Sequence, residues 1–238
     1  MDTPIGNLYL IPTRLGEDIK LEVLPISIKK IIESTNHYIV ENEKTARRFI
    51  KKISPTKSQS SLHFETINKF TVESELPSFL DPCNKGFNIG ILSEAGCPGI
   101  ADPGAAVVTI AHEKNIPVIP MVGPSSILLA MMSSGMNGQG FSFNGYLPID
   151  KQERKQKMRQ LERISQEQNQ SQIFIETPYR NQKVFEDLKS ILSKSTRLCV
   201  AADITLTTEY IKTKTIDDWN KTTVDLQKRP CIFIVHRE

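Results

Sequence analysis

Short apolar runs separated by helix-length segments restrict the fold of the first half of the chain more than any other feature. Four runs have the length and composition of strands, at residues 8–11, 38–40, 87–92 and 118–121. The segments between them carry apolar residues at helical spacing. Because parallel strands are joined by crossovers, usually helices, this alternation predicts a parallel sheet with right-handed β-α-β connections.

The second half has a different pattern. Its apolar runs lie at residues 141–146, 173–175, 198–202, 210–215 and 232–235. Two of them alternate polar and apolar residues, as in a half-exposed mixed or antiparallel sheet. We therefore expect an α/β fold of two α/β domains: a parallel-sheet domain at 1–118 and a mixed-sheet domain at 119–238. Ligands often bind between domains, so we also expect a cleft there.

The composition bears on whether the chain binds nucleic acid, holds a metal or spans a membrane. Of 238 residues, 39% are hydrophobic and 24% are charged, and the net charge of +3 is too small to indicate a nucleic-acid partner by itself. Four separated cysteines, with no C-x-x-C pair and no zinc-spaced histidine, predict reduced thiols and no metal site. The sequence shows neither a signal-peptide pattern nor a membrane-length apolar run, so we expect a cytoplasmic protein that does not span a membrane.

A loop of small residues follows the third apolar run. Residues 93–104 read S-E-A-G-C-P-G-I-A-D-P-G, with three glycines and two prolines. Such a loop lets a ligand approach backbone amides, and ligands of open α/β sheets bind beyond the carboxyl ends of strands. It lacks both common phosphate-binding glycine patterns, which favours a ligand without a pyrophosphate. The alternative is a tight connection into the next helix.

Two further loops also follow expected strands. Gly123-Pro124-Ser125-Ser126 precedes an apolar helix, where a serine could cap the helix or the free amides could face a ligand. Residues 176–180 read E-T-P-Y-R and combine a carboxylate, a phenol and a guanidinium group. These groups could bind substrate or move protons, or they could only cap and pair along the following helix.

A basic helix is expected at about 150–168. The sequence there carries six cations with few acids among them: Lys151, Arg154, Lys155, Lys157, Arg159 and Arg163. Basic side chains on a helix can neutralise phosphates. The more common role of such a run is a solvated helix face.

Taken together, the three loops resemble the class III S-adenosylmethionine-dependent methyltransferases, also called tetrapyrrole methylases, and among them the small subunit ribosomal RNA methyltransferase I branch. That branch carries S-D-A-G-T-P-G-I-S-D-P-G, P-G-P-S-A and E-S-P-H-R in this order. The chain has its counterparts at 93–104, 122–126 and 176–180. The resemblance covers nearly the whole chain.

The resemblance implies two α/β domains with S-adenosylmethionine in the cleft between them, and a homodimer. It also implies these cofactor-binding residues: Glu94, Ala95, Gly96, Pro98, Gly99, Ile100, Ser125, Ser126, Leu15, Ile175, Ala202 and Cys231. The last four, which follow the first strand or lie near the ends of later strands, are aligned more loosely than the others. No metal is implied.

The chain departs from the family pattern at the expected acceptor site. The family's A-T-P-I-G-N-L-E-D-I after the first strand is replaced by residues 11–19, I-P-T-R-L-G-E-D-I, while residues 3–7, T-P-I-G-N, lie before the strand. The family's A-E-D-T-R is V-E-N-E-K at 40–44, and its R-E-L-T-K is A-D-I-T-L at 202–206. Substrate chemistry therefore follows less directly from the resemblance than cofactor binding does.

A sulfonium methyl group is already electrophilic, so the protein mainly has to position a nucleophile and remove its proton. We take Glu41, Glu176 and Arg180 as candidate catalytic residues, and we expect Lys44, Arg47, His63 and Tyr179 to bind substrate. The predicted function is 2'-O-ribose methylation of 16S ribosomal RNA, with ribosomal RNA or the small ribosomal subunit as partner. The alternatives are a methyltransferase for a tetrapyrrole-like molecule or a protein side chain, and a cofactor-binding module without acceptor chemistry.

Overall fold

The chain folds into two five-stranded sheets in a computed structural model that describes residues 4–16, 21–68 and 70–238. Thr3 of the 3–7 segment, and Glu17, Asp18 and Ile19 of the first-strand loop, lie outside the described residues. The strands are β1 Leu8–Ile11, β2 His37–Val40, β3 His63–Thr66, β4 Ile89–Leu92, β5 Val118–Pro120, β6 Phe141–Tyr146, β7 Ser171–Glu176, β8 Arg197–Ala202, β9 Tyr210–Thr215 and β10 Cys231–His236.

Helices occupy most of the segments between strands. They are α1 Ile26–Ser34, α2 Glu43–Ile53, α3 Leu76–Phe79, α4 Asp81–Asn84, α5 Gly104–Glu113, α6 Ser126–Ser134, α7 Lys151–Gln168, α8 Asn181–Ile191 and α9 Ile216–Asn220. Short 3-10 turns occur at Leu21–Val23, Gln59–Ser61 and Glu73–Glu75. No helix in the described ranges has both the length and the apolar character needed to cross a bilayer.

The first sheet is parallel, with strand order β3-β2-β4-β1-β5. Its side chains alternate between two apolar clusters, so that Leu8 and Ile91 pack on one face and Ile11 and Leu92 on the other. Burial on both faces is typical of a parallel sheet covered by helices. The predicted parallel sheet is therefore confirmed.

The second sheet has the order β6-β7-β10-β8-β9. Strands β6 and β7 are parallel, whereas β10 runs antiparallel to β7 and β8, and β8 antiparallel to β9. An apolar cluster under α7 and α8 includes the stacked rings of Phe174 and Phe233. This is the mixed sheet expected from the alternating runs.

The polypeptide divides into two compact units after Ser125. Strand β5 pairs with β1, with Val118 opposite Leu8. The expected domain boundary after residue 118 would cut β5. Its pairing with β1 instead keeps β5 within the first unit. Ser125 is thus the last residue of the first unit, and Ser126 begins α6 in the second.

One strand was not predicted. Residues 63–66, expected as a loop around His63, form β3 at the edge of the first sheet. Its sequence H-F-E-T is too polar and too exposed to give an apolar run, and its pairing with β2 alone makes it a strand. The expected strand at 87–92 begins only at Ile89, because the backbone N–H of Phe87 closes a turn onto Pro82.

Candidate functional site

Three parallel strands of the first unit end side by side. Leu92, the last residue of β4, is paired with Ile11 of β1 and with Val40 of β2. The segments that follow these strands therefore meet at one edge of the sheet, where ligands of open α/β folds bind.

The glycine-rich loop after β4 is held against the loop after β1. The backbone N–H of Thr13 donates to Gly96 O (2.9 Å), and the Thr13 hydroxyl donates to Ser93 O (3.1 Å). Gly96 has a φ of +77°, and a Cβ there would lie 3.1 Å from the side chain of Leu15 and 3.3 Å from Pro124 O. Only glycine fits this crossing of three segments without strain.

Asp102 closes the second half of the same loop. Its carboxylate accepts hydrogen bonds from the backbone N–H of Gly99 (2.9 and 3.0 Å) and of Gly104 (2.7 Å), at the start of α5. Gly99 has a φ of +81°, with open space where a Cβ would lie. The aspartate thus fixes a loop whose backbone at Gly99 remains approachable.

A carboxylate from the end of β2 reaches this loop. Glu41 Oε1 accepts a hydrogen bond from the backbone N–H of Glu94 (3.1 Å). Burial, aided by the charges of Asp102 and Glu94, raises the pKa of Glu41, although the Glu94 N–H opposes the shift. A carboxyl group with a raised pKa beside an open loop is suited to accept a proton.

A cavity of about 180 Å³ lies next to these groups. It is lined by Thr13, Arg14, Gly16, Val40, Thr45, Ala46, Arg48, Phe49, Leu92, Ser93 and Glu94. The Thr45 hydroxyl donates to Glu94 Oε1 (2.6 Å). The cavity therefore presents two guanidinium groups and a carboxylate together.

The orientation of α2 determines which of its cations reach this cavity. Asn42 caps the helix by accepting from the backbone N–H of Lys44 and Thr45. Arg48 lines the cavity, whereas Lys44 and Arg47, the expected substrate-binding residues, do not. Arg47 instead pairs with Glu43 (2.7 Å) and lies over the Phe64 ring, 4.5 Å from its centroid.

His63 lies at the opposite edge of the first sheet. His37 and His63 are the first residues of β2 and β3, and their rings stack with centroids 4.9 Å apart. The carboxyl edge that carries Glu41 is at the other end of the same strands. His63 therefore lies at the amino ends of these strands, whereas Glu41 follows a carboxyl end.

The second unit brings three of the expected cofactor-binding residues to one place. Cys231 of β10 is paired with Ala202 on one side and with Glu176 on the other, and Ile175 immediately precedes Glu176 in β7. Burial raises the pKa of the Cys231 thiol to about 12, so this cysteine stays protonated at neutral pH.

Glu176 and Arg180 bind each other at the start of the E-T-P-Y-R segment. The Glu176 side chain is fully buried, and Arg180 Nη2 lies 3.0 Å from its Oε2. Glu176 Oε1 accepts from the backbone N–H of Thr177 (2.8 Å), and Arg180 also donates to Pro148 O (3.1 Å). Their observed contacts fix the loop, and Tyr179 between them is 80% exposed.

No family model matches the chain. A protein of Vibrio cholerae named ribosomal RNA small subunit methyltransferase I is 25% identical over 96% of the chain and 76% of its own length. One of the same name from Synechocystis is 29% identical over 84% of the chain and 68% of its length.

Solved structures agree on the fold. The methyltransferase CobJ matches 98% of the chain and 94% of its own length with a TM-score of 0.64 at 12% identity. A uroporphyrin-III C-methyltransferase from Thermus thermophilus, solved with S-adenosylhomocysteine, matches 98% of both chains with a TM-score of 0.59 at 14% identity. The chain has the tetrapyrrole methyltransferase fold and is a homologue of the small subunit methyltransferase I proteins.

In this tetrapyrrole methyltransferase fold, ten of the twelve expected cofactor residues fall into two groups, whereas Ser125 ends the first unit and Ser126 begins α6. The first group follows β4 and contacts Leu15, and within it Glu94, Ala95 and Ile100 are exposed while Gly96 and Pro98 are buried. The second group lies at the paired strand ends of the second unit, around Cys231.

Sequence reasoning missed four side chains of the first unit: Thr13, Arg14, Thr45 and Arg48. The pairing of β1 with β4 could have suggested Thr13 and Arg14, because both directly follow a strand end. The helical repeat of α2, whose Ala46, Phe49 and Ile50 are buried, could have shown that Arg48 and Arg47 point in different directions. Among the described residues, no group of three or more His, Cys, Asp or Glu side chains is arranged to hold a metal ion.

Proposed function

We propose that the chain is an S-adenosylmethionine-dependent methyltransferase that methylates ribosomal RNA, at a ribose 2'-oxygen of 16S ribosomal RNA. The observation that carries the proposal is the Glu41 carboxyl group bonded to the glycine-rich loop beside a cavity of mixed charge. The names of the homologues support a methyltransferase with an RNA substrate, and the neighbour solved with S-adenosylhomocysteine supports the methyl donor.

The residues of the cavity match the donor. When bound, S-adenosylmethionine supplies a methyl group on a sulfonium sulfur, which reacts with a well-positioned nucleophile. Arg14 and Arg48 carry the charge that would hold its carboxylate, and Glu94 the charge that would hold its ammonium group. The open backbone at Gly99 leaves room for the rest of the molecule.

Glu41 is the residue that we assign to proton removal. Its carboxylate would take the proton of the acceptor hydroxyl while that oxygen takes up the methyl group from the donor sulfur. The raised pKa of Glu41 lies closer to neutral pH than that of an ordinary carboxyl group, so its carboxylate is a stronger base toward the weakly acidic hydroxyl. Glu176 and Arg180 act by holding the loop that carries Tyr179.

A homodimer is also part of the proposal. The second unit exposes apolar side chains that a monomer would leave in water, including Met132 at 79% and Ile149 at 82% exposure. Sedimentation velocity measures this directly, and a single monomeric species would contradict it. A ribosomal substrate implies a cytoplasmic location, which stays a prediction.

The deciding experiment is methyl transfer from radiolabelled S-adenosylmethionine to small ribosomal subunits, followed by nucleoside mass spectrometry. We expect label in a 2'-O-methylated nucleoside with the wild-type chain and little with Glu41→Gln. Transfer to a tetrapyrrole or a protein side chain, but not to RNA, would favour the first alternative. Binding of S-adenosylhomocysteine without transfer to any acceptor would favour the module that lacks acceptor chemistry.

A further inference from the structure

Helix α7 is fixed in place by one of its own cations. Arg154 is 2% exposed, and its Nη2 and Nε lie 2.8 and 3.1 Å from Asp187 Oδ2 on α8. Its Nη1 donates to Ile149 O (2.8 Å). The six cations of the basic segment thus do not form one solvated face, since Arg154 points inward.

Three of the other five cations border a groove. A depression of about 670 Å³ runs beside α7 and is lined by Pro148, Glu153, Gln156, Lys157, Arg159, Gln160 and Arg163. The spacing of these positions places them on one side of the helix. The lining therefore holds three cations, two amides and one carboxylate.

These cations are little neutralised by the protein. Lys157 Nζ contacts an amide, Gln160 Oε1, at 3.2 Å. Arg163 Nε lies 3.8 Å from Glu167, and both side chains are mostly exposed, so this pair contributes little. Within the described ranges, neither Lys157 nor Arg159 forms an ion pair.

An exposed aromatic residue precedes, in the chain, an arginine that contacts the groove wall. Pro148 lines the groove, and its carbonyl oxygen accepts a hydrogen bond from Arg180 Nη2. Tyr179 precedes Arg180, and its side chain is 80% exposed. The ion pair between the buried Glu176 carboxylate and Arg180 thus holds the segment that carries this exposed ring, and Arg180 itself contacts the groove wall.

We propose that this groove binds the sugar-phosphate backbone of a single-stranded segment of the RNA substrate, while Tyr179 stacks on a base. Cations along a groove with a neighbouring aromatic ring are the combination that single-stranded nucleic acids need. The inference rests on the proposed function, because it assigns a surface to that RNA substrate. An acidic peptide would match the positive charge of the groove but would offer no base to stack on the exposed Tyr179 ring.

The test is fluorescence anisotropy of the full chain with a labelled single-stranded oligouridylate over a series of salt concentrations. Each phosphate contact contributes to the dependence of log affinity on log salt, so Lys157→Gln, Arg159→Gln and Arg163→Gln together should reduce the slope by about 2. The matched control removes three lysines of the same unit, Lys194, Lys212 and Lys221, and should leave the slope unchanged. Circular dichroism confirms that both triple variants fold.

Tyr179 is tested separately with the same probe. Tyr179→Ala should weaken binding about tenfold, and Tyr179→Phe should retain affinity because stacking needs only the ring. Loss of affinity in Tyr179→Phe as well would contradict stacking.

Three results would overturn the proposal for the groove: no binding of the oligouridylate by the wild-type chain, equal slopes in the groove variant and the wild type, or a larger effect on binding of a polyglutamate peptide than of RNA. Methyl transfer to ribosomal subunits is measured in parallel. If wild-type transfer is intact while the groove variant binds and methylates RNA normally, only the groove assignment fails. If no RNA accepts a methyl group although the groove binds the oligouridylate, the proposed function fails.

Discussion

The backbone N–H of Glu94 donates a hydrogen bond to Glu41 Oε1 at 3.1 Å, and these two residues, which follow the ends of neighbouring strands, are 53 positions apart in the chain. This bond joins the acidic residue after β2 to the glycine-rich loop after β4. It also orients the Glu41 carboxyl group, whose pKa is raised by burial and by two nearby carboxylates. A base that is both positioned and partly desolvated is the arrangement that proton removal requires.

We expect Glu41→Gln to lower methyl transfer by about 10²–10⁴-fold, because the amide keeps the hydrogen-bond acceptor but cannot take a proton. The variant should fold like the wild type. Because the pKa of Glu41 is higher in the folded than in the unfolded chain, ionisation of Glu41 lowers the free energy of unfolding. This loss is complete above the pKa of the folded state and absent below the pKa of the unfolded state. Urea unfolding should therefore show the variant gaining stability relative to the wild type as the pH rises. A variant with normal transfer would exclude Glu41 as the base.

The two glycines of the loop provide a matched pair. Gly96→Ala and Gly99→Ala both place a Cβ at positive φ, which costs about 1–2 kcal/mol each. Only the Gly96 substitution also crowds Leu15 and Pro124 O. We therefore expect Gly96→Ala to lower the free energy of unfolding more, and to weaken binding of S-adenosylhomocysteine, measured by calorimetry. Equal effects would show that the crossing at Gly96 is unimportant.

Arg48 and Lys44 lie on the same helix but differ in what they face. Arg48→Gln should weaken S-adenosylhomocysteine binding about tenfold, as expected for loss of a charge-assisted hydrogen bond to the carboxylate. Lys44→Gln removes the same charge from an exposed position that does not line the cavity and should bind normally. Titration calorimetry of both variants measures the difference, and equal affinities would remove Arg48 from the donor site.

The Arg154–Asp187 pair is expected to stabilise the second unit. Arg154→Leu leaves the nearly buried Asp187 carboxylate without its partner and should lower the free energy of unfolding by about 3–5 kcal/mol. Replacing both residues by leucine should recover much of the loss, because no isolated charge then remains. Urea denaturation monitored by circular dichroism gives both values. A double variant as unstable as the single one would argue for a role in packing instead.

Acid should weaken the first unit through His37. Burial, followed by the charges of His63 and Lys85, lowers the pKa of His37. The unfolded chain then binds a proton at a higher pH than the folded chain, so stability falls as the pH drops through the ordinary histidine range. His37→Gln should show a smaller loss of stability between neutral and mildly acidic pH. An unchanged pH profile would mean that this histidine does not contribute.

The predicted strands that match the structure are those with a continuous or alternating pattern of apolar residues. The runs at 8–11, 141–146 and 210–215 have the observed bounds. Strand β3 could not be recognised because H-F-E-T has no such pattern, and its pairing with β2 is a long-range contact. For the same reason Glu41 was a candidate by residue type, while its bond to Glu94 was not visible.

Local periodicity and short motifs are enough to predict the alternation of strands and helices, the loops at the strand ends and the family that those loops resemble. Which side chains of those loops meet depends on how the chain packs. The rotation of α2 turns Arg48, and not Lys44 or Arg47, toward the cavity, and the ion pair with Asp187 buries Arg154 while its neighbours on α7 border an open groove. Side-chain direction depends on packing between elements distant in the chain, and a local pattern does not contain that information.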